Sequence, residues 1–201
     1  MFSKVKELGL TKSVLMFSGG VDSSLLAYML LKHEIEFVAL HVEMLDKYQL
    51  PHVNNVISFL ETYFNKKIEL VVSEPIYTIN HPTFTNMIVN EFILEHKLDG
   101  KFGGKTKNPP TNFYENENNR PTERDGSEDG IELKKIDNHN FYYITPFCKL
   151  DKKDLFELYR QENLLENLYP LTFSCSAGYK EKHCGVCWWC KERLWGFGKI
   201  G

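Results

Sequence analysis

Residues 13–24 constrain the fold more than any other stretch. Ser13-Val-Leu-Met-Phe17 is a short continuous apolar run, as expected of a strand buried on both faces. It passes at once into Ser18-Gly-Gly-Val-Asp-Ser-Ser24, after which Leu25, Leu26, Met29 and Leu30 recur at helical spacing. Strand, tight glycine turn and helix, in that order, open a nucleotide-binding α/β unit. The turn has suitable chemistry. Glycines let backbone N–H groups approach phosphate oxygens with no Cβ in the way. Ser18, Ser23 and Ser24 add hydroxyl donors, and the helix that follows turns its positive end toward an anion. The candidate nucleotide-binding residues are therefore Phe17, Ser18, Gly19, Gly20, Val21, Asp22, Ser23 and Ser24. Asp22 suits a phosphate site only as a helix cap or a Mg²⁺ ligand. A glycine turn with an Asp cap is the plainer alternative. A Walker A loop is excluded: Gly104-Lys105-Thr106 resembles its end, but its first glycine would fall on Asp99.

The alternation continues along the chain. Strands are expected at Glu36–Glu43, Ile68–Val72, Lys101–Phe102 and Phe141–Thr145. Helices are expected at His52–Phe64, Pro82–Lys97 and Asp151–Glu162, the last capped by Asp151, with Leu155, Phe156, Leu158 and Tyr159 facing inward. This predicts an α/β fold, a mostly parallel sheet with helices on both faces. A chain of 201 residues is one domain with room for a small appendage. Residues 105–130 lack periodicity and hold three Pro, five Asn and six acidic residues. They read as a long loop, either an active-site lid or a floppy insertion. The expected division is 1–172 for the α/β domain and 173–201 for a cysteine-rich module.

That module holds four of the five cysteines, Cys175, Cys184, Cys187 and Cys190, within sixteen residues. The charge balance is near neutral, 24 basic against 27 acidic residues, which excludes an overall basic field for nucleic acid. No apolar run approaches the roughly 18 residues of a membrane span, and the start has no signal-peptide core. A cytoplasmic setting is expected, where such a cysteine cluster reads as a metal site. Four thiolates with no open position predict structural Zn²⁺, one per chain. An Fe–S cluster, a disulfide pair or replacement of one Cys by His183 are the alternatives. Cys148 lies outside the spacing and reads as a small buried residue. Trp188, Trp189 and Trp195 either wall a flat ligand or pack the module onto the domain.

The Ser18–Ser24 string resembles the signature of the PP-loop, or ATP-pyrophosphatase, family. Such enzymes attack ATP at the α-phosphate with a substrate oxygen and release pyrophosphate. The resemblance implies catalytic roles for Ser18, Asp22 and Ser23. It also implies one for a lysine opening a late helix, Lys152 here, with Lys153 as the alternate and a solvated surface charge as the plainer reading. With Thr172-Phe-Ser-Cys175, His183-Cys-Gly-Val-Cys-Trp-Trp-Cys190, Arg193, and Thr145-Pro146 ahead of Asp151-Lys152, the chain is similar to the 7-cyano-7-deazaguanine (preQ0) synthase family of queuosine biosynthesis. That implies a ligase using ATP with Mg²⁺ to convert 7-carboxy-7-deazaguanine and ammonia to the nitrile, through an adenylated carboxylate and an amide. A homodimer is common in the family.

The middle of the chain departs from that family's pattern. A Gly-Gln-Arg-His stretch is replaced by His41-Val-Glu-Met-Leu-Asp-Lys-Tyr48, a Pro-Gly-Arg-Asn helix opening is missing near Pro82, and a Thr-Gly turn is replaced by Gly103-Gly104-Lys105. His41, Glu43 and Lys105 are candidates for an altered pocket, or plain surface residues. Two other functions follow from the same residues. One is a PP-loop enzyme adenylating another deazapurine, a protein terminus or a tRNA base. The other is a zinc-ribbon nucleic-acid-binding protein, since Lys180–Lys199 holds five basic and two acidic residues. The near-neutral whole chain makes direct nucleic-acid binding the weaker expectation.

Overall fold

The computed structural model describes residues 1–43, 49–75, 81–110, 130–175 and 182–200. In chain order they form α1 (Phe2–Glu7), β1 (Ser13–Met16), α2 (Val21–Lys32), β2 (Val38–His41), α3 (Gln49–Phe64), β3 (Leu70–Val72) and α4 (His81–His96). There follow β4 (Gly100–Phe102), β5 (Ile131–Ile136), β6 (His139–Ile144), α5 (Lys152–Gln161), a 3₁₀ turn (Tyr169–Leu171) and α6 (Trp188–Phe197).

The strands make one sheet in the order β3-β2-β1-β4-β6-β5. Every pairing is parallel except the β5–β6 hairpin. This is the mostly parallel α/β architecture that the alternating pattern predicts. Side chains alternate faces along each strand, so both faces must be covered. Leu15, Ala39, Phe102 and Ile144 join the larger core, with Leu25, Leu26 and Leu30 of α2, Val53, Val56 and Leu60 of α3, and Leu155 and Tyr159 of α5. Val14, Leu40 and Phe141 face the other way, onto Val89 and Ile93 of α4. Each fully buried Val, Leu, Ile or Phe among them contributes roughly 1.5–3 kcal/mol. Asp99 locks the entry to β1, accepting from Thr11 N at 2.8 Å and Lys12 N at 3.1 Å.

β1 has β2 on one side and β4 on the other, so the connections leaving β1 and β4 diverge at their carboxyl ends. A crevice for ligands opens at such a point in parallel sheets. The Ser18–Ser24 loop leaves β1 there, and Gly103-Gly104 leaves β4 beside it.

Three elements differ from the sequence reading. β5 is an edge strand, so little of it is buried and Leu133 is 62% exposed. Its alternation is correspondingly weak; the available signal was the short Asp137-Asn138 turn, with Asp137 at φ 53°. α1 is short and its apolar positions are only Phe2 and Val5. The end of the cysteine module is a ten-residue helix, α6, closed by Gly198 at φ 69°. Most of the 105–130 loop, residues 111–129, lies outside the described residues, as do 44–48 of the His41–Tyr48 stretch. Among the described residues no helix is long and apolar enough to cross a membrane.

Candidate active site and metal centre

The loop after β1 is shaped by its neighbours. Phe17 N donates to Leu40 O at 2.8 Å, and the Phe17 side chain is in the core, so only its backbone borders the site. Gly19 has φ 68°, and a Cβ there would lie 2.9 Å from Val53 Cγ2 and 3.2 Å from Val53 Cα. The left-handed backbone and the close approach of α3 both demand glycine. Gly20 is the N-cap of α2, and its N–H donates to Ser18 Oγ at 3.3 Å. Ser18 and Ser23 hydroxyls are 3.1 Å apart, and Ser23 Oγ donates to Gly20 O at 3.3 Å. Ser18 is exposed, Ser23 is buried, and Ser24 is wholly buried.

Asp22 stands in the first turn of α2, where the helix dipole favours a carboxylate. Lys152 Nζ donates to its two oxygens at 2.7 and 2.8 Å and to Thr106 Oγ1 at 2.9 Å. Lys152 is 3% exposed, so it is not a solvated surface charge. It is the first residue of α5, placed by the Asp151 capping box: Asp151 accepts from Lys153 N and Asp154 N, and Asp154 accepts from Asp151 N. Lys153 is exposed and lies over the Trp195 ring at 4.9 Å, away from the loop. The Gly103-Gly104 bend crosses the start of α2: a Cβ at Gly104 would lie 3.0 Å from Ser23 N. Thr106 lies two residues on.

The cysteine module grips the same loop. Phe173 N donates to Gly19 O at 2.9 Å, and Val21 N to Ser174 Oγ at 3.4 Å. Arg193, wholly buried, ties this segment to α6. It donates to Tyr169 Oη at 3.1 Å, Tyr169 O at 3.1 Å and Thr172 Oγ1 at 2.8 Å, and lies over the Tyr169 ring at 4.1 Å. Glu192 is also wholly buried, 3.9 Å from Lys152 Nζ.

The four predicted sulfurs converge, all within 4.8 Å of one another, and this group could hold a metal ion. Cys184 and Cys190 Sγ are 3.9 Å apart, as are Cys187 and Cys175 Sγ. Four sulfurs about 2.3 Å from one tetrahedral ion lie about 3.8 Å apart. The donor set thus fits a single tetrahedral ion. A cubane cluster, with its thiolates on separate irons, would spread them further. Burial pushes the Cys184 thiol up, but the N–H groups of Cys187 and Val186 outweigh it and bring it down to about 6. Burial pushes Cys190 up. His183 Nδ1 is 3.6 Å from Cys190 Sγ, a neighbour of the cluster. Burial, then the Arg193 charge, lowers its imidazole to about 4. Cys148 is buried outside the group.

Of the residues weighed for an altered pocket, His41 is 1% exposed, with Nδ1 2.9 Å from Phe17 O. Burial lowers its pKa. It braces the Phe17–Ser18 turn from β2. Glu43 is half-buried with its backbone N–H on Ser73 Oγ at 3.1 Å, and Lys105 is half-buried. Thr106 and Glu192 are the site residues that sequence reasoning missed. The signals were a hydroxyl two residues beyond a Gly-Gly bend, and an acid four residues before a glycine on one helix face. A cavity of about 410 Å³ lies at the opposite, amino ends of the strands, lined by Lys12, Val38, Glu69 and His96, and touches none of these groups.

Residues 127–201 match the family model for queuosine biosynthesis protein QueC. The matched part contains the four cysteines, Lys152 and Glu192; the phosphate loop lies outside it. No curated protein matches the chain. Among solved structures, an NMN synthetase from Francisella tularensis is similar at 17% identity and TM-score 0.53, covering 98% of this chain and 82% of that one. A U34-tRNA thiolase, NcsA, from Methanococcus maripaludis, solved with its 4Fe-4S cluster, is 17% identical with TM-score 0.45. That match covers 76% of this chain, which spans a little over half, 56%, of the thiolase. The likeness to the NMN synthetase is one of fold.

Proposed function

We propose that this chain is an ATP-dependent carbon–nitrogen ligase that converts 7-carboxy-7-deazaguanine and ammonia to 7-cyano-7-deazaguanine. The observation that carries the reading is the Lys152–Asp22–Thr106 cluster at the mouth of the Ser18–Ser24 loop. It lies in contact with a module whose residues match QueC. The family match and the fold together support an ATP-using, adenylating enzyme; the deazapurine substrate rests on the family match.

A carboxylate is a poor electrophile until one of its oxygens becomes a phosphate leaving group. In the proposed reaction a substrate carboxylate oxygen attacks the α-phosphorus of ATP and pyrophosphate leaves. Ammonia displaces AMP and gives the amide. The amide oxygen attacks a second ATP, pyrophosphate leaves again, and loss of AMP and a proton leaves the nitrile. The exposed Ser18 hydroxyl and the N-terminal end of α2 stabilise charge on the phosphates, and Lys152 supplies the positive side chain. Ser23 orients Ser18. Asp22 is the residue suited to hold Mg²⁺, which would neutralise phosphate charge when bound. Residues 173–201 form the zinc module, with Cys175, Cys184, Cys187 and Cys190 as ligands and a structural role. The protein acts in the cytoplasm, as a homodimer.

The test is direct. Purified, metal-loaded protein is mixed with ATP, Mg²⁺, ammonium and 7-carboxy-7-deazaguanine, and the products are followed by mass spectrometry. ATP-dependent nitrile is the expected product. ATP bound but no amide or nitrile formed would move the search to another carboxylate or carbonyl substrate.

A further inference from the structure

The contact between α6 and Lys152 has a shape of its own. Glu192 and Gly196 are four residues apart, so they share one face of α6. Gly196 lets that face come down onto the start of α5: a Cβ there would lie 2.9 Å from both C and O of Lys152, and closer still to its Cβ. One turn back, the Glu192 carboxylate stands 3.9 Å from Lys152 Nζ with no exposed surface. A carboxylate shut away from water persists only where a cation and hydrogen bonds compensate it, and Lys152 is that cation. The ammonium therefore has Asp22 and Thr106 as hydrogen-bond partners and Glu192 as a second carboxylate.

These partners differ in accessibility. The Asp22 side chain is 25% exposed and belongs to the loop itself, whereas Thr106 and Glu192 are wholly buried. A phosphate arriving at the loop competes with Asp22 for the ammonium and leaves the two buried partners in place. The module that carries Glu192 also holds the loop backbone, through Phe173 N on Gly19 O and Ser174 Oγ on Val21 N.

We propose that Glu192 is a positioning residue for Lys152, through which the four-cysteine module sets the geometry of the phosphate site. The proposal rests on the reading that ATP binds at Ser18–Ser24. Without Glu192, Lys152 keeps only the neutral Thr106 hydroxyl as a buried partner and loses its buried counter-charge whenever a nucleotide displaces Asp22. Phosphate binding and transition-state stabilisation both suffer, while the cysteine cluster keeps its ligands.

The experiment compares wild type, Glu192→Gln and Glu192→Asp for metal content, thermal midpoint, ATP affinity by calorimetry, and kcat and KM for ATP. Glu192→Gln keeps the size and removes the charge. The expected result is unchanged metal content with ATP affinity and kcat each reduced on the order of tenfold. Glu192→Asp, which keeps the charge one methylene further back, recovers part of both. A purely structural role would lower the thermal midpoint without moving ATP affinity or kcat in the folded protein. Wild-type ATP affinity and kcat in folded, metal-loaded Glu192→Gln overturn the proposal. If that variant does not fold, Glu192→Asp with unchanged KM and kcat overturns it equally. Failure of the wild type itself to bind ATP sinks the nucleotide reading instead.

Discussion

Gly196→Ala sets two known effects against each other at one atom. Alanine in place of glycine inside an exposed helix normally stabilises by about 1 kcal/mol. Here the new methyl would meet the Lys152 backbone, 2.9 Å from its C and O. Carbon contacts normally settle at about 3.5–4.0 Å, so α5 and α6 must part by at least roughly 0.5–1 Å, and the closer Lys152 Cβ asks for more. The opposing atoms are the Lys152 backbone and its Cβ, whose position the backbone fixes, so no rotamer change relieves the contact. Overpacking of this kind costs about 1–3 kcal/mol, and it exceeds or cancels the helical gain. The expected net effect is a loss of about 1 kcal/mol, read as a lower urea midpoint for metal-loaded protein at unchanged slope. The same displacement carries Glu192 away from Lys152, so ATP affinity falls with stability. Gly198→Ala is the control. It lies two residues on, at φ 69° with nothing within 4 Å of a new Cβ. It should cost about 1 kcal/mol of left-handed strain and leave ATP affinity alone. A Gly196→Ala protein at least as stable as wild type, binding ATP as wild type does, would show that the α5–α6 separation is not fixed by this contact.

Purified protein should carry about one zinc per chain by elemental analysis, and Cys187→Ser should lose the metal together with several kcal/mol of stability, because structural zinc contributes folding energy directly; a fully folded, metal-free wild type would refute the centre. Asp22→Ala should reduce ATP turnover at least about a hundredfold, with a stability change of no more than about 1–3 kcal/mol, since Lys152 keeps Thr106 and Glu192; unchanged turnover removes Asp22 from the site. The burial that lowers the His41 pKa below its ordinary 6.5 makes the unfolded chain bind more protons as pH falls through that value. Stability should therefore drop between pH 7 and 5 by up to about 1.4 kcal/mol per unit for this group, and His41→Gln should flatten that slope. His33 and His183, also lowered, keep part of it. A slope equal to wild type would mean that His41 is charged in the folded protein.

The parts of this molecule legible in the sequence are those where one local constraint decides. A strand buried on both faces needs apolar residues throughout, so β1 announced itself. Gly19, pressed against Val53 in a left-handed turn, admits one residue type. Four cysteines at close spacing admit few arrangements, and their sulfurs converge. The Asp151 cap was visible because capping chemistry is local. What stayed hidden depends on partners distant in sequence. Glu192 reads as one of two acids in a basic tail until α5 is laid against it, 40 residues away in the chain. Lys152 and Lys153 are equivalent as letters; the cap that starts α5 turns one inward and leaves the other on the surface. β5 was lost because an edge strand carries little apolar alternation.

If ATP binds at Ser18–Ser24, as proposed, the charges of the site favour a metal-bound nucleotide. Asp22, Glu192 and Lys152 together leave one more negative than positive charge beside the phosphate loop. A bare triphosphate would meet net repulsion there, offset only by the N-terminal end of α2 and the loop N–H groups. Mg²⁺ bound with the nucleotide would reverse that balance, and Asp22 is the accessible carboxylate that would hold it. On that reading a phosphate would take the place of Asp22 beside Lys152, and Asp22 would be left to hold the cation. Glu192 is buried and cannot join the exchange, which is why its charge serves to hold the lysine in place. The arrangement predicts that ATP alone binds more weakly than ATP with Mg²⁺, and that Asp22→Asn narrows that difference by removing the carboxylate that profits from the cation.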